Sequence, residues 1–448
     1  MTKLFDNRGT LRRLAVPTLV GVSLALTACG GKDRVSTPTI GKREPVLSKI
    51  ASEIKPDPAL SSTSVVVPQP VVNAAWSQPG GNASNNPGNL ALADAPTRAW
   101  NVKIKGSSKK ARLAAAPVVA DGMVFVDDID GTIHALNASD GSQIWTHDTA
   151  ASSDQRAVLF GGGVSYFEGR VYATNGAGEV SALDAKTGNE IWKVRPAGPL
   201  RGSPTVAFNA VYVMTQDNQI IALDMKDGKV VWQDFGASGQ SGIFGVAAPA
   251  AGQSTVVAGY STGELVAYRY ENGRNLWSDA LARTSISTEV GTLTDVDADP
   301  IIDNGRVYAL GQGGRMAAYE LVTGQRLWEL TIAGISTPVV AGEWIFTLTD
   351  DAQLLAIARS SGRIKWMTQL ERWKNEKKRN NAIFWKGPVL ANNKLWIASS
   401  RGEVMSVDVG TGVPTKFAEL KDPVSLPPVV ANKTLYILDD GGNLTAWR

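Results

Sequence analysis

From residue 116 to its C-terminus the chain repeats one pattern, and that pattern leaves little choice of fold. The first copy reads APVVADGMVFVDDIDGTIHALNASDGSQIW and closes on Trp145. Later copies close on Trp192, Trp232, Trp277, Trp328 and Trp366, and a degenerate one closes on Phe417. Each copy reads as four short strands: a small apolar run, a β-branched run with an aromatic, an alternating run, and a closing strand with Trp. Asp121-Gly122, Asp130-Gly131 and Asp140-Gly141 punctuate the first copy, and such dipeptides suit tight hairpins that need positive φ. The spacing between closing residues runs from 38 to 51 residues, the range of propeller blades.

Seven copies end between Trp145 and Phe417. The last segment, PPVVANKTLYILDDGGNLTAWR (427–448), supplies three strands of an eighth and stops. A candidate for the missing outer strand lies far upstream at Arg98-Ala99-Trp100-Asn101-Val102, with Trp100 in the closing position. The prediction is an all-β fold: an eight-bladed propeller of four-stranded antiparallel blades, closed by pairing the two ends of the chain so that no sheet edge is left open between them. Trp100, Trp145, Trp192, Trp232, Trp277, Trp328 and Trp366 are read as structural, each packing on the neighbouring blade. The run Ala182-Leu183-Asp184-Ala185-Lys186-Thr187-Gly188-Asn189-Glu190-Ile191-Trp192 resembles the tryptophan-docking motif of quinoprotein-type propellers.

The N-terminus carries a different message. Lys3, Arg8, Arg12 and Arg13 precede an apolar run of 13 residues, Leu14 to Leu26. That run is short for a membrane span, which needs about 20 residues, but it fits the apolar core of an export signal. Leu26-Thr27-Ala28-Cys29 follows and resembles the lipobox of bacterial lipoproteins, in which the Cys is acylated; Cys29 is the only cysteine in the chain. By the same resemblance to bacterial lipoproteins, Gly30 and not Asp in the next position implies sorting to the outer membrane over inner-membrane retention. Six prolines between residues 30 and 75 predict a flexible tether. The expected organisation is a signal peptide over 1–28, an acylated Cys29 with its tether over 29–75, and the propeller over 76–448.

Little in the sequence asks for catalysis. The chain has 45 basic and 42 acidic residues, and removing the signal peptide with its four basic and one acidic residue leaves 41 of each. Bulk charge therefore gives no support to nucleic-acid binding. The two histidines, His134 and His147, lack partners at metal-ligand spacing. Asp295-Val296-Asp297-Ala298-Asp299-Pro300 imitates the start of a calcium loop, but Pro300 and Arg306 stand where an EF-hand needs Gly and Glu. No metal and no cofactor is predicted.

Lipobox, proline-containing tether and an eight-bladed docking-motif propeller together resemble the BamB family, lipoprotein subunits of the outer-membrane β-barrel assembly machinery. The resemblance runs from Cys29 to the C-terminus. It is most specific in Leu200-Arg201-Gly202-Ser203-Pro204-Thr205 and in Leu293-Thr294-Asp295-Val296-Asp297-Ala298-Asp299-Pro300. It implies a non-catalytic scaffold, lipid-anchored in the outer membrane and facing the periplasm. It also implies that Leu200, Arg201, Asp295 and Asp297 contribute to docking on the periplasmic POTRA region of BamA within the assembly complex. Unfolded outer-membrane protein precursors are a further expected partner, held by strand edges. Both segments join a closing strand to the next inner strand, which places them on one face, about a quarter-turn apart. A basic insertion, Glu371 to Asn381 with Trp373 at its centre, is expected on that face too, as a charged loop or as a contact for acidic partners or lipid headgroups. Two rival readings stay open: an unrelated membrane-tethered binding propeller, and an oxidoreductase using pyrroloquinoline quinone. The second is disfavoured because a single cysteine cannot supply the vicinal pair typical of those enzymes.

Overall fold

The computed structural model describes residues 54–149, 161–200, 202–236, 247–281 and 295–448. Cys29 and Arg201, with the signal peptide, lie outside the described residues. Eight four-stranded antiparallel sheets form the ring. Blade 1 is built from Val118–Ala120, Met123–Asp127, Thr132–Asn137 and Gln143–Asp148, running from the channel outwards. Blades 2 to 7 follow at 162–194, 205–235, 250–280, 301–330, 339–369 and 385–419. Blade 8 takes Val429–Ala431, Thr434–Leu438 and Asn443–Trp447 from the C-terminus and its outer strand, Arg98–Lys103, from upstream. The eight-bladed ring and its closure match the sequence reading. Among the described residues, no helix is long and apolar enough to cross a membrane.

Each docking Trp is aimed by a local irregularity. In blade 1 the pairing runs Ala135 to Trp145 and then Leu136 to Gln143, so Ile144 bulges out of register. The same slip occurs beside Trp192, Trp232, Trp277, Trp328, Trp366 and Trp100, and each of these indoles faces an alanine on the adjacent strand. A bulge re-aims a side chain, and a small residue opposite leaves the ring room to lean on the next blade. The displaced neighbours Ile144, Ile191, Val231, Leu276 and Leu327 are consequently 41–51% exposed, so this apolar rim is a by-product of docking geometry.

The receiving surface is a turn. Asp184 Oδ1 accepts the N–H groups of Lys186 and Thr187 and the Thr187 hydroxyl. These bonds hold a turn in which Gly188 has φ of +72°. A Cβ on Gly188 would stand 2.6 Å from the Trp145 ring, and the Trp145 indole N–H donates to the Ala185 carbonyl at 2.9 Å. Seven junctions repeat this arrangement, with indole donor distances of 2.8–3.2 Å. The eighth cannot. In blade 8 the third and outer strands come from distant parts of the chain, so no such hairpin turn joins them; Arg448 and Thr97 exchange backbone hydrogen bonds there instead. With no turn to receive an indole, Phe417 packs edge-on against Trp396 and Trp447.

The tether expectation needs correction for residues 54–75. This segment is packed on the ring: Asp57 N–H donates to Ile364, Lys365 Nζ donates to the Leu60 and Ser61 carbonyls, and Leu60, Val65 and Val67 lie against the core of blades 6 and 7. Proline-rich composition shows that a segment has no ladder of its own; it does not exclude satisfaction by a neighbour's free edge. From Asn73 onward the chain becomes a strap that visits all eight inner strands. Asn73 Nδ2 donates to Val430, Trp76 and Val119 exchange both backbone bonds, and Tyr166 N–H donates to Ser77. Gln78 pairs with both backbone groups of Val206, Ala251 N–H donates to Ala83, and Ile302 N–H donates to Ser84. Asn86 Oδ1 accepts from Val340, and Leu90 N–H donates to Leu390. The inner edges, otherwise an unsatisfied row of backbone groups, are thus capped at one end of the channel.

Docking should dominate stability in a graded way. Trp232→Ala is expected to cost about 3–5 kcal/mol and Trp232→Phe about 1–2 kcal/mol for the lost donor. Phe417→Trp is expected to bring no gain, since no turn awaits the indole. Melting temperatures of the three variants check this ordering.

Candidate docking face and central cavity

The hairpin turns between first and second strands lie at the strap end: Asn89 bonds Asn393, and Asn86 bonds Asp303, both beside such turns. Antiparallel pairing therefore sends every connection from an outer strand to the next inner strand to the opposite face, as expected from sequence. Four of these connections enter their blades alike. The carbonyls of Pro199, Asp295, Ala333 and Pro423 accept the N–H groups of Gln216, Gln312, Asp350 and Asp440 respectively. In this register Leu200 corresponds to Val296, and Arg201 to Asp297.

That register sorts the predicted contact residues. Leu200 is 0% exposed, bridged to Thr215 and packed among Tyr172, Val180 and Val211, so it wedges blade 2 against blade 3. Asp295 is 1% exposed. Neither offers side-chain surface in the ring, so any part they take in docking is through the placement of their loops. Asp297 is only partly buried and lines the cavity. Arg201, its counterpart in sequence register, lies outside the described residues. Asp299, the third acid of the calcium-like run, accepts the Ala248 N–H at 2.7 Å, so it joins blade 4 to blade 5. His134 Nε2 lies 3.0 Å from Asp128 Oδ2 within blade 1, and His147 lies 3.8 Å from Glu190.

The basic insertion is a hairpin, Trp373–Asn375 against Asn380–Ala382. The Arg372 guanidinium lies 5.5 Å from the Trp373 ring centre and pairs with Asp351, and the Trp385 indole donates to the Glu371 carbonyl. The hairpin stands at the channel mouth with Phe384 beside it, 63% exposed.

Behind the mouth lies a cavity of about 1110 Å³. The strap forms its floor through Trp76, Gln78, Asn85 and Pro87, and the walls carry Asp297, Asp299, Asp350, Lys386 and Asp440. Burial pushes the Asp297 carboxyl up to about 7, with Asp295 adding to the shift and Lys386 opposing it. Burial likewise raises Asp299 to about 6, against the Ala248 hydrogen bond. Asp350 and Asp440 are raised and Lys386 is lowered, each chiefly by burial. Sequence reasoning missed Lys386, Asp350 and Asp440. A signal for the first existed: two residues before the proline of the inner strand the repeats carry Ala115, Gly202, Ala298, Ser336 and Leu426, and only blade 7 carries a lysine.

The raised Asp297 sets a sign for stability against pH. The folded chain holds this proton up to about pH 7, whereas an unfolded Asp releases it near 4. Its contribution is therefore neutral below about pH 4, grows steadily more unfavourable between about pH 4 and 7, and is fully developed above about 7. Asp297→Asn is expected to raise the melting temperature at pH 8, with about 4 kcal/mol as the upper limit, and to leave it unchanged at pH 4. Thermal melts at the two pH values check this.

Comparison with known proteins agrees with this architecture. The family model described as "Outer membrane protein assembly factor BamB" matches residues 93–160 and 152–368. A relative of that name from Yersinia pestis is 25% identical over 346 residues, covering 76% of this chain and 86% of the relative. The crystal structure of BamB from Moraxella catarrhalis superposes with a TM-score of 0.65 at 19% identity, covering 79% of this chain and 99% of that one. A quinohemoprotein alcohol dehydrogenase from Pseudomonas putida shares the fold, with a TM-score of 0.63 at 14% identity over 86% of this chain and 83% of its own. With the model matching well over half of its length, the chain belongs to the BamB family of outer membrane protein assembly factors.

Proposed function

We propose that this chain is a non-catalytic scaffold of the outer-membrane β-barrel assembly complex, anchored through an acylated Cys29 and facing the periplasm. Its loop face docks on the POTRA region of BamA. The observation that carries the reading is the family match across residues 93–368, which takes in the upstream closing strand and blades 1 to 6. The two faces of the ring support its geometry. One is occupied by the chain's own strap; the other bears the connections that the family resemblance singles out, together with the basic hairpin and exposed Phe384. On this face the contact falls to Arg201 and Asp297, with Leu200 and Asp295 holding their loops in place from the core. An exposed aromatic surrounded by charged groups has the make-up of an interface centre.

Affinity purification from detergent-solubilised outer membranes tests the proposal. BamA is expected to co-purify with the wild type and with Val72→Arg, a change at an exposed strap-side residue. Recovery is expected to fall at least about tenfold for Arg201→Glu and for Phe384→Ala, each loss equivalent to about 1.4 kcal/mol or more. Equal recovery of all four would remove the assigned face. Failure to recover any barrel-assembly subunit would remove the function.

A further inference from the structure

Of the cavity's charged groups the docking reading uses only Asp297; leaving aside the exposed Lys109, Lys110, Arg112 and Asp350, two are left without protein partners. Asp299 is committed to the Ala248 N–H, and Asp440 accepts the Ser425 hydroxyl at 2.7 Å. Lys386 and Asp297 differ. Among the described residues, neither side chain has a hydrogen bond, and no carboxylate lies within the 4.0 Å of an ion pair from the Lys386 ammonium. Each nevertheless feels the other's charge, and Lys386 also feels Asp350. Opposite charges thus face one another across a space too wide for contact, inside a largely apolar wall. Charges partly withdrawn from bulk water without partners are costly, and both side chains keep surface open to the cavity, where a ligand can reach them.

The arrangement selects among ligands. A cation alone would satisfy Asp297 and Asp350 but leave Lys386 bare. An anion alone would do the reverse. A molecule carrying both charges satisfies both, and the apolar walls at Trp76, Leu113, Ile335 and Leu426 can receive side chains between them. The volume exceeds that of a single amino acid and suits a ligand of several residues. We propose that the channel binds a short zwitterionic peptide, with its terminal carboxylate on Lys386 and its terminal ammonium between Asp297 and Asp350. The floor made by the strap closes the other end, so the peptide enters and leaves by the loop face. This goes beyond the scaffold role; Asp297 is shared with the docking contact, whereas Lys386 is not, so the Lys386 variant tells the two readings apart.

Calorimetric titration of the purified full chain with the tripeptide Ala-Phe-Ala, its N-acetylated form and its C-amidated form tests the assignment. The free peptide is expected to bind, and each blocked form to bind at least about tenfold more weakly, as a charge-assisted hydrogen bond is lost. Lys386→Met should abolish discrimination against the amide while keeping discrimination against the acetyl form. Asp297→Asn should do the converse. This crossed pattern reports on the two ends separately, and a merely destabilised protein would not produce it. Both substitutions remove a poorly solvated charge, so folding is expected to survive; a wild-type circular dichroism spectrum verifies that. No binding by any of the three peptides, or equal affinity for all three, would overturn the proposal.

Discussion

An indole seated on a glycine turn is the contact on which the rest of this structure depends. A four-stranded blade cannot bury both of its faces alone, and the ring holds only if each blade is fixed to the next. The bulge beside each Trp, the alanine opposite it, the Asp–Thr bonds that shape the receiving turn and the glycine at positive φ are parts of one device. The exception supports the rule. Where the chain's own ends interrupt the turn, the Trp gives way to Phe417, and closure passes to five-residue pairing of the upstream strand with the last one.

A second constraint makes the two faces unequal. Eight inner strands present eight free edges towards the channel, and the strap satisfies an edge group on each in turn. Its asparagines and glutamine suit this task because a carboxamide offers donor and acceptor together; Gln78 bonds both backbone groups of Val206. Among the described residues the strap lines one end of the channel through Trp76, Gln78, Asn85 and Pro87. The proposed docking contacts and the cavity mouth then share one side of the ring.

The repeat made the ring legible in the sequence, including the hybrid eighth blade, because Trp spacing and turn dipeptides are local signals with one structural solution. The strap was not legible. Residues 54–75 have neither period nor apolar face, and their partners lie up to 357 residues away; composition reports the absence of a ladder and is silent about a borrowed one. The candidate docking residues were legible as segments but not as side chains. Which of Asp295, Val296 and Asp297 faces outward depends on how the loop enters the gap between blades, and the register shared by Asp295, Ala333 and Pro423 sets it. The cavity charges were the least visible, since Asp297, Asp350, Lys386 and Asp440 come from four different blades.

The central claim is that the loop face, and not the strap face, meets the assembly machinery. Photo-crosslinking in intact cells tests it most directly, with a benzophenone amino acid at Phe384 or Lys374 on the loop face and at Val66 or Val72 on the strap side. A crosslinked adduct with BamA is expected from the loop-face positions alone. Adducts with BamA from the strap-side positions only, or none from Phe384 and Lys374, would contradict it.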